Sequence, residues 1–257
     1  MSAWLHTSGR PSHGALEESL IYRYNQPMSY FALIPAAGSG ERMGGPAPKQ
    51  YLPLAGGPMI SHALSVLASH PQIEKVFVVL AEDDAYWTNY NWLPFAGRIK
   101  ILRCGGATRA ESVRNGLAAM AETVDDEDWV MVHDAARPCL THGLIDKLIA
   151  GVTEEDVGGI LAVPVADTLK YGIGGAIVET VPREHMWQAQ TPQMFRHGVL
   201  SEALVTLTPS ITDEASAVEA IGLQPRLIES ESSNLKVTYP FDMQIAEWVL
   251  QSRTGPA

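Results

Sequence analysis

The sequence predicts an α/β protein built on a mostly parallel sheet with helices on both faces. Three observations carry that expectation. Short apolar runs alternate with stretches whose apolar residues recur at helical spacing, the pattern of successive βα units. Three of those runs lead into loops of small and charged residues, Gly38 to Lys49, Gly105 to Ser112 and Asp134 to Pro138. In parallel α/β sheets, ligands bind beyond the carboxyl ends of the strands. The 257 residues, 46% hydrophobic and 18% charged, suit one large buried core.

Residues 1–28 lack an apolar stretch and carry Glu17 and Glu18, so they do not resemble a signal peptide. They are expected to be a poorly ordered extension with at most a short helix from Leu16 to Tyr24. Met28 is an alternative start that the sequence leaves open. Residues 29–257 are expected to form one domain, with no repeat and no linker.

Phe31 to Ile34 is the first buried strand. After its loop, Pro58 opens a helix in which Ile60, Ala63, Leu64 and Leu67 share a face, ending near His70-Pro71. Lys75 to Ala81 is the second strand, and Glu82 to Trp92 a surface helix or loop. Arg98 to Cys104 is the third strand, and Arg109 to Ala121 a helix with Val113, Leu117 and Met120 on one side. Asp128 to His133 is the fourth strand, followed by a helix carrying Leu144, Leu148 and Ile149. Val157 to Val165 is the next.

The alternation then fails. Thr168 to Tyr171 and Ala176 to Thr180 flank Gly172-Ile173-Gly174-Gly175, as in a hairpin. A lone two-stranded hairpin is marginal in water, so this arm, at about 164–187, is expected to pack on a second subunit. The chain returns through WQAQTPQMFR to helices at about Gly198 to Val205 and Asp213 to Ala220. A strand from Arg226 to Glu229, the segment Asn234 to Thr238, and a last helix from Pro240 follow. Phe241, Ile245 and Val249 are available for that helix's apolar face.

A net charge of −11 argues against a nucleic-acid partner, because a duplex binder needs a basic face. A nucleotide substrate needs only a local cationic pocket. Cys104 and Cys139 form neither a disulfide framework nor a zinc spacing, and a reduced, cytoplasmic setting is expected. No apolar run approaches the roughly 20 residues of a membrane span.

The stretch YFALIPAAGSGERMGGPAPKQY, Tyr30 to Tyr51, organises the rest. Side-chain-poor backbone can approach a polyphosphate and cradle it with N–H groups. Arg42 adds a forked donor and Lys49 a point charge. An ordinary glycine-rich turn is the competing reading. Lys49 is followed by Gln50, so the Walker pattern is absent. No carboxylate lies near Pro58 and Met59, where a dinucleotide fold would place one. Asp134 reads either as a turn or cap residue or, facing a triphosphate, as a Mg²⁺ ligand. Arg109 and Ser112 either hold the nucleotide or serve as cap and surface charge. His133 reads as a packed histidine, and Cys139 as structural.

With these residues in view, the chain resembles the 2-C-methyl-D-erythritol 4-phosphate cytidylyltransferase family of the nonmevalonate isoprenoid pathway. The matching motifs are IPAAGSGERMG with PKQY, GGATRAESVRNGL, VHDAARP, PVADTLK, WQAQTPQ, ITDEASAVE and NLKVT, in family order from about Phe31 to Arg253. The resemblance implies a Rossmann-like nucleotidyltransferase fold, a β-arm that builds a homodimer, CTP as co-substrate and Mg²⁺ as cofactor. Carried over by motif position, Arg42, Lys49, Arg183 and Lys236 would be the catalytic set. Ala36, Ala37, Gly38, Gly106, Arg109 and Ser112 would line the CTP pocket, and Asp134 would hold Mg²⁺. Arg183 and Lys236 would grip the acceptor phosphate, with Arg137, Thr168, Thr191, Thr212 and Asp213 near it. One subunit's arm would complete its neighbour's site. Glu41, Ala107 and Thr108 depart from the family's usual residues. Ribitol-5-phosphate cytidylyltransferase and a non-catalytic nucleotide-binding module are the competing functions.

Overall fold

The computed structural model describes residues 28–38, 47–152, 157–208 and 210–254. Its centre is β1 (Tyr30–Pro35), whose interior residues Phe31 to Ile34 are buried on both faces. Both neighbours run parallel to it, an arrangement that requires crossover helices.

In chain order, a small ladder of β2 (Pro53–Leu54) and β3 (Gly57–Pro58) precedes α1 (Met59–Ser69). Then come β4 (Ile73–Val79), β5 (Ile99–Leu102) and α2 (Arg109–Met120). After these follow β6 (Trp129–Val132), α3 (His142–Val152) and β7 (Gly158–Pro164). The arm is β8 (Leu169–Ile173) and β9 (Ala176–Val181). The chain closes with β10 (Trp187–Arg196), α4 (His197–Ala203), α5 (Glu214–Ala220), β11 (Arg226–Glu229) and α6 (Pro240–Thr254).

Seven strands form one sheet in the order β11-β7-β10-β6-β1-β4-β5. The chain builds outward from β1 through β4 and β5. It then crosses back through α2 to place β6 on the other side of β1. Strand order therefore reverses at β1, and the loops after β1 and β6 part there, leaving a crevice. Period-2 alternation sends Phe31 and Leu33 to one face, with Val113, Leu117 and Leu200. Ala32 and Ile34 face the other way, with Ile60, Leu64, Leu144 and Leu148. Helices thus cover both faces, as the α/β reading expects.

Two local readings, at Pro58 and on the last helix, need correction, and two segments left open take a definite form. Pro58 precedes α1 rather than opening it. Its backbone is extended and it pairs with Pro53. The Glu82–Trp92 segment contains no α-helix; it passes through a 3-10 turn at Trp87–Asn89, with another at Leu93–Phe95. Trp87 is buried and stacks on Trp92 at 4.0 Å, while Tyr51 stacks between Tyr86 and Tyr90. The segment therefore anchors the end of the first ligand loop, where the Tyr51 hydroxyl donates to Asp84 at 2.8 Å. WQAQTPQMFR is a strand, β10, which wedges antiparallel between β6 and β7 with a register break between Ala189 and Gln193. On α6, Ala246 and Val249 face a third cluster that includes Leu54, Cys139 and Val237. Phe241 and Ile245 stay exposed, as does Trp248.

Among the described residues the arm pairs only with itself, as its own two-stranded sheet, and leaves Ile173, Ile177 and Val178 more than half exposed. Among the described residues no helix is long and apolar enough to cross a membrane. The expected helix from Leu16 to Tyr24 lies outside the described residues, as do Glu41 and Arg42.

Gly158 begins β7 at φ +119°, where an added Cβ would stand 2.3 Å from the Met194 carbonyl oxygen. Gly158→Ala is expected to destabilise the fold by roughly 2–4 kcal/mol, the combined cost of a disfavoured backbone and a main-chain clash. Urea unfolding would show this as a lowered midpoint at unchanged slope. An unchanged midpoint would mean that the start of the strand relaxes freely.

Candidate active site

The crevice at the reversal of strand order is a cavity of about 590 Å³. Each wall follows from local chemistry. At the end of β1, the Ala36 N–H bonds the Val79 carbonyl, which draws the chain across β4. Buried Gln50 donates to the carbonyls of Ala36 and Gly38 at 2.7 and 3.1 Å, tying the two ends of the first loop together. Lys49 opens a short 3-10 turn, and its Nζ lies 3.2 Å from the Val237 carbonyl oxygen. It is thereby aimed along the cavity.

The second wall is the β5–α2 connection. A Cβ on Gly105 would sit 2.3 Å from that of Ala37, so only glycine lets the two loops touch. The Gly106 N–H donates to Ser112 Oγ, which donates in turn to the Thr108 carbonyl. Thr108 and Glu111 form a capping box at the start of α2. The side chain of Thr108 is thus spent on the cap.

Asp134 follows β6 with a 6% exposed surface. Arg109 Nε donates to its Oδ1 at 2.7 Å, and Lys236 Nζ stands 2.6 Å from Oδ2. Burial opposes the charge, but these two cations outweigh it and hold the carboxyl far below the usual range. Arg109 also gives both terminal nitrogens to Glu214, at 2.7 and 3.0 Å. Burial opposes its charge as well. The two carboxylates overcome that penalty and push its pKa up.

The Asp134 N–H donates to Thr191 Oγ1, whose hydroxyl lies 3.1 Å from His133 Nδ1. His133 Nε2 lies 3.1 Å from the Arg137 carbonyl. A carbonyl can only accept, so Nε2 carries a proton. Burial, the largest influence, pulls its pKa down to about 4. His133 is a packing residue, as expected. Cys139 is buried against the Ala246 carbonyl, and burial raises its thiol to about 11.

The cavity thus gathers Ala36, Ala37, Gly38, Lys49, Gly106, Arg109, Ser112, Asp134 and Lys236. Arg137 borders a second cavity of about 250 Å³ with Gln188, Gln190 and Lys236. Its guanidinium donates to the carbonyls of Asn234 and Ala189. Burial lowers its pKa.

The other expected residues that the structure describes line neither cavity. Thr191 is buried beneath Asp134. Thr168 is exposed at the root of the arm. Arg183 bonds the Ala166 carbonyl across the arm's base. Thr212 is exposed, and Asp213 caps α5. Gln50, Gln193 and Glu214 had no role assigned from the sequence. Gln50 adjoined a recognised lysine. Glu214 is an acid in a helix's first turn, a common dipole-favoured place that gives no sign of a distant partner.

Known proteins bear on this geometry. The model of the family described as IspD, 2-C-methyl-D-erythritol 4-phosphate cytidylyltransferase, matches residues 30–252. A relative of that name from Thiobacillus denitrificans is 58% identical, covering 87% of this chain and 98% of the relative. Another from Azoarcus sp. is 56% identical over 88% and 96%. Among solved structures, a 4-diphosphocytidyl-2C-methyl-D-erythritol synthase superimposes with a TM-score of 0.77 at 40% identity, over 88% of this chain and 100% of that one. The cytidylyltransferase from Thermus thermophilus does so at 0.71 and 29%, over 87% and 100%. With its Rossmann-like nucleotidyltransferase sheet and its motifs in place, the chain belongs to the 2-C-methyl-D-erythritol 4-phosphate cytidylyltransferase family.

Proposed function

We propose that the chain joins CTP to 2-C-methyl-D-erythritol 4-phosphate, giving 4-diphosphocytidyl-2-C-methyl-D-erythritol and pyrophosphate, a step of isoprenoid precursor synthesis. The observation that carries the reading is one buried carboxylate, Asp134, sharing a crevice with Lys49, Arg109 and Lys236. Such a crevice suits a polyanion. A phosphate oxygen of the acceptor attacks the α-phosphorus of CTP as the bond to pyrophosphate breaks. No protein nucleophile is needed, so catalysis reduces to positioning and charge neutralisation.

The roles divide as follows. Gly38, Gly106, Ser112 and the Ala36–Ala37 backbone hold the nucleotide. Lys49, together with Arg42, neutralises charge growing on the α-phosphate and the leaving group. Lys236 reaches the acceptor phosphate, and Arg137 shapes the adjoining cavity. Among the described residues no group of three or more His, Cys, Asp or Glu is placed to hold a metal. One cleft carboxylate instead fits Mg²⁺, which takes most of its ligands from phosphates and water. Asp134 would hold that ion, whose contribution is charge neutralisation on the triphosphate.

Arg183 and Thr168 belong to the arm's base and lie outside the crevice of their own chain. We infer a homodimer in which each arm brings these residues to its neighbour, with Thr191, Thr212 and Asp213 supporting the acceptor side from within the chain. The arm's exposed Ile173, Ile177 and Val178 support this arrangement. A cytoplasmic location fits a CTP-consuming step.

Three outcomes are expected. Incubated with CTP and each alcohol phosphate separately, the protein should release pyrophosphate with 2-C-methyl-D-erythritol 4-phosphate; release only with ribitol 5-phosphate would overturn the acceptor. Lys49→Ala should lower kcat by about a hundredfold or more while changing CTP affinity far less, because its contact strengthens in the transition state. Unchanged kcat would remove Lys49 from the mechanism. Deleting residues 169–181 should convert a sedimenting dimer to a monomer, and an unaltered sedimentation coefficient would rule the arm out as the interface.

A further inference from the structure

Glu214 is 1% exposed and lines neither of the two cavities described above. Its whole carboxylate is spent on Arg109, through Nη1 at 2.7 Å and Nη2 at 3.0 Å. Arg109 keeps only Nε for Asp134. The guanidinium is therefore held by two bonds behind the site and touches the site's carboxylate by one.

The support is itself fixed. Buried Gln193 of β10 accepts from the Ala215 N–H at 2.9 Å and donates to Asp213 at 2.8 Å. This sets the first turn of α5, which begins at Glu214. Two helix starts, those of α2 and α5, are thus locked face to face through one ion pair.

A partly buried arginine that lost its sole counter-charge would resist that loss strongly. With Glu214 behind it, Arg109 stays paired whether or not Asp134 is bonded to it. We propose that Glu214 is a positioning residue that keeps Arg109 in place and compensated, so that Asp134 can leave Arg109 Nε and serve as a metal ligand. The proposal rests on the reading of Asp134 given above. Without the Glu214 charge, Arg109 would turn its full attraction on Asp134, and the carboxylate would be harder to recruit.

The test is the Mg²⁺ dependence of CTP binding to the full chain, followed by calorimetry without acceptor, so that turnover plays no part. Asp134→Asn comes first. If that change leaves the dependence unaltered, the reading of Asp134 is wrong, whatever Glu214 does. If it matters, Glu214→Gln should raise the half-saturating Mg²⁺ concentration by about tenfold or more, the scale typical for residues that orient metal ligands. Glu214→Asp, which keeps the charge, should fall close to the unaltered chain. A merely structural ion pair would lower the melting temperature of Glu214→Gln without moving the Mg²⁺ dependence, and that result overturns the proposal. Should Glu214→Gln not fold, the double change Arg109→Gln with Glu214→Gln leaves no orphaned charge. Its Mg²⁺ dependence should coincide with that of Arg109→Gln alone. A difference between the two would show that Glu214 acts other than through Arg109, and would also overturn the proposal.

Discussion

A carboxylate taken out of water at the end of a hydrophobic strand must be compensated, or it will not stay ionised. Asp134 meets that constraint with one oxygen on Arg109 and the other on Lys236. Its main chain is held separately, by the hydroxyl of Thr191. These partners come from α2, from the segment before α6 and from β10. The charge can be buried only when distant parts of the chain have all arrived. The same arrangement makes the crevice cationic in a protein whose net charge is −11. Local field, not overall charge, decides what such a site attracts.

The sheet explains why those parts meet where they do. Reversal of strand order at β1 separates the loops after β1 and β6 and leaves room between them. Glycine at 105 then lets the β5–α2 loop close against the first loop, where any Cβ would collide with Ala37. The aromatic stack around Tyr51 anchors the far end of the first loop. Backbone shape and side-chain charge are thus supplied by different elements, and the crevice needs both.

Much of this was legible in the sequence because hydrophobic periodicity reports which residues are buried. The span of β11 was read residue for residue, and Val113, Leu117 and Met120 do form the inner face of α2. Periodicity does not report what a face is buried against. On α6 three apolar residues shared a side, yet the cluster around Cys139 takes the stripe of Ala246 and Val249 instead. Strand β10 was missed because its glutamines and threonine break the apolar pattern. Gln190, Thr191 and Gln193 are nonetheless buried, because each bonds a polar group brought to it by another part of the chain, Asn234, His133 and Asp213 in turn. Arg109 was open to reading as cap or surface charge, since its pairing with Asp134 and Glu214 spans 25 and 105 residues. A pairing that distant leaves no local trace.

Lys236 borders both cavities while bonded to Asp134. One ammonium group cannot serve two anions at full strength. Filling either compartment must therefore change the affinity of the other, and by thermodynamic reciprocity the effect is equal in both directions. The two cavities are consequently not independent ligand sites for anions, and their occupancies should be described by a single coupled binding scheme.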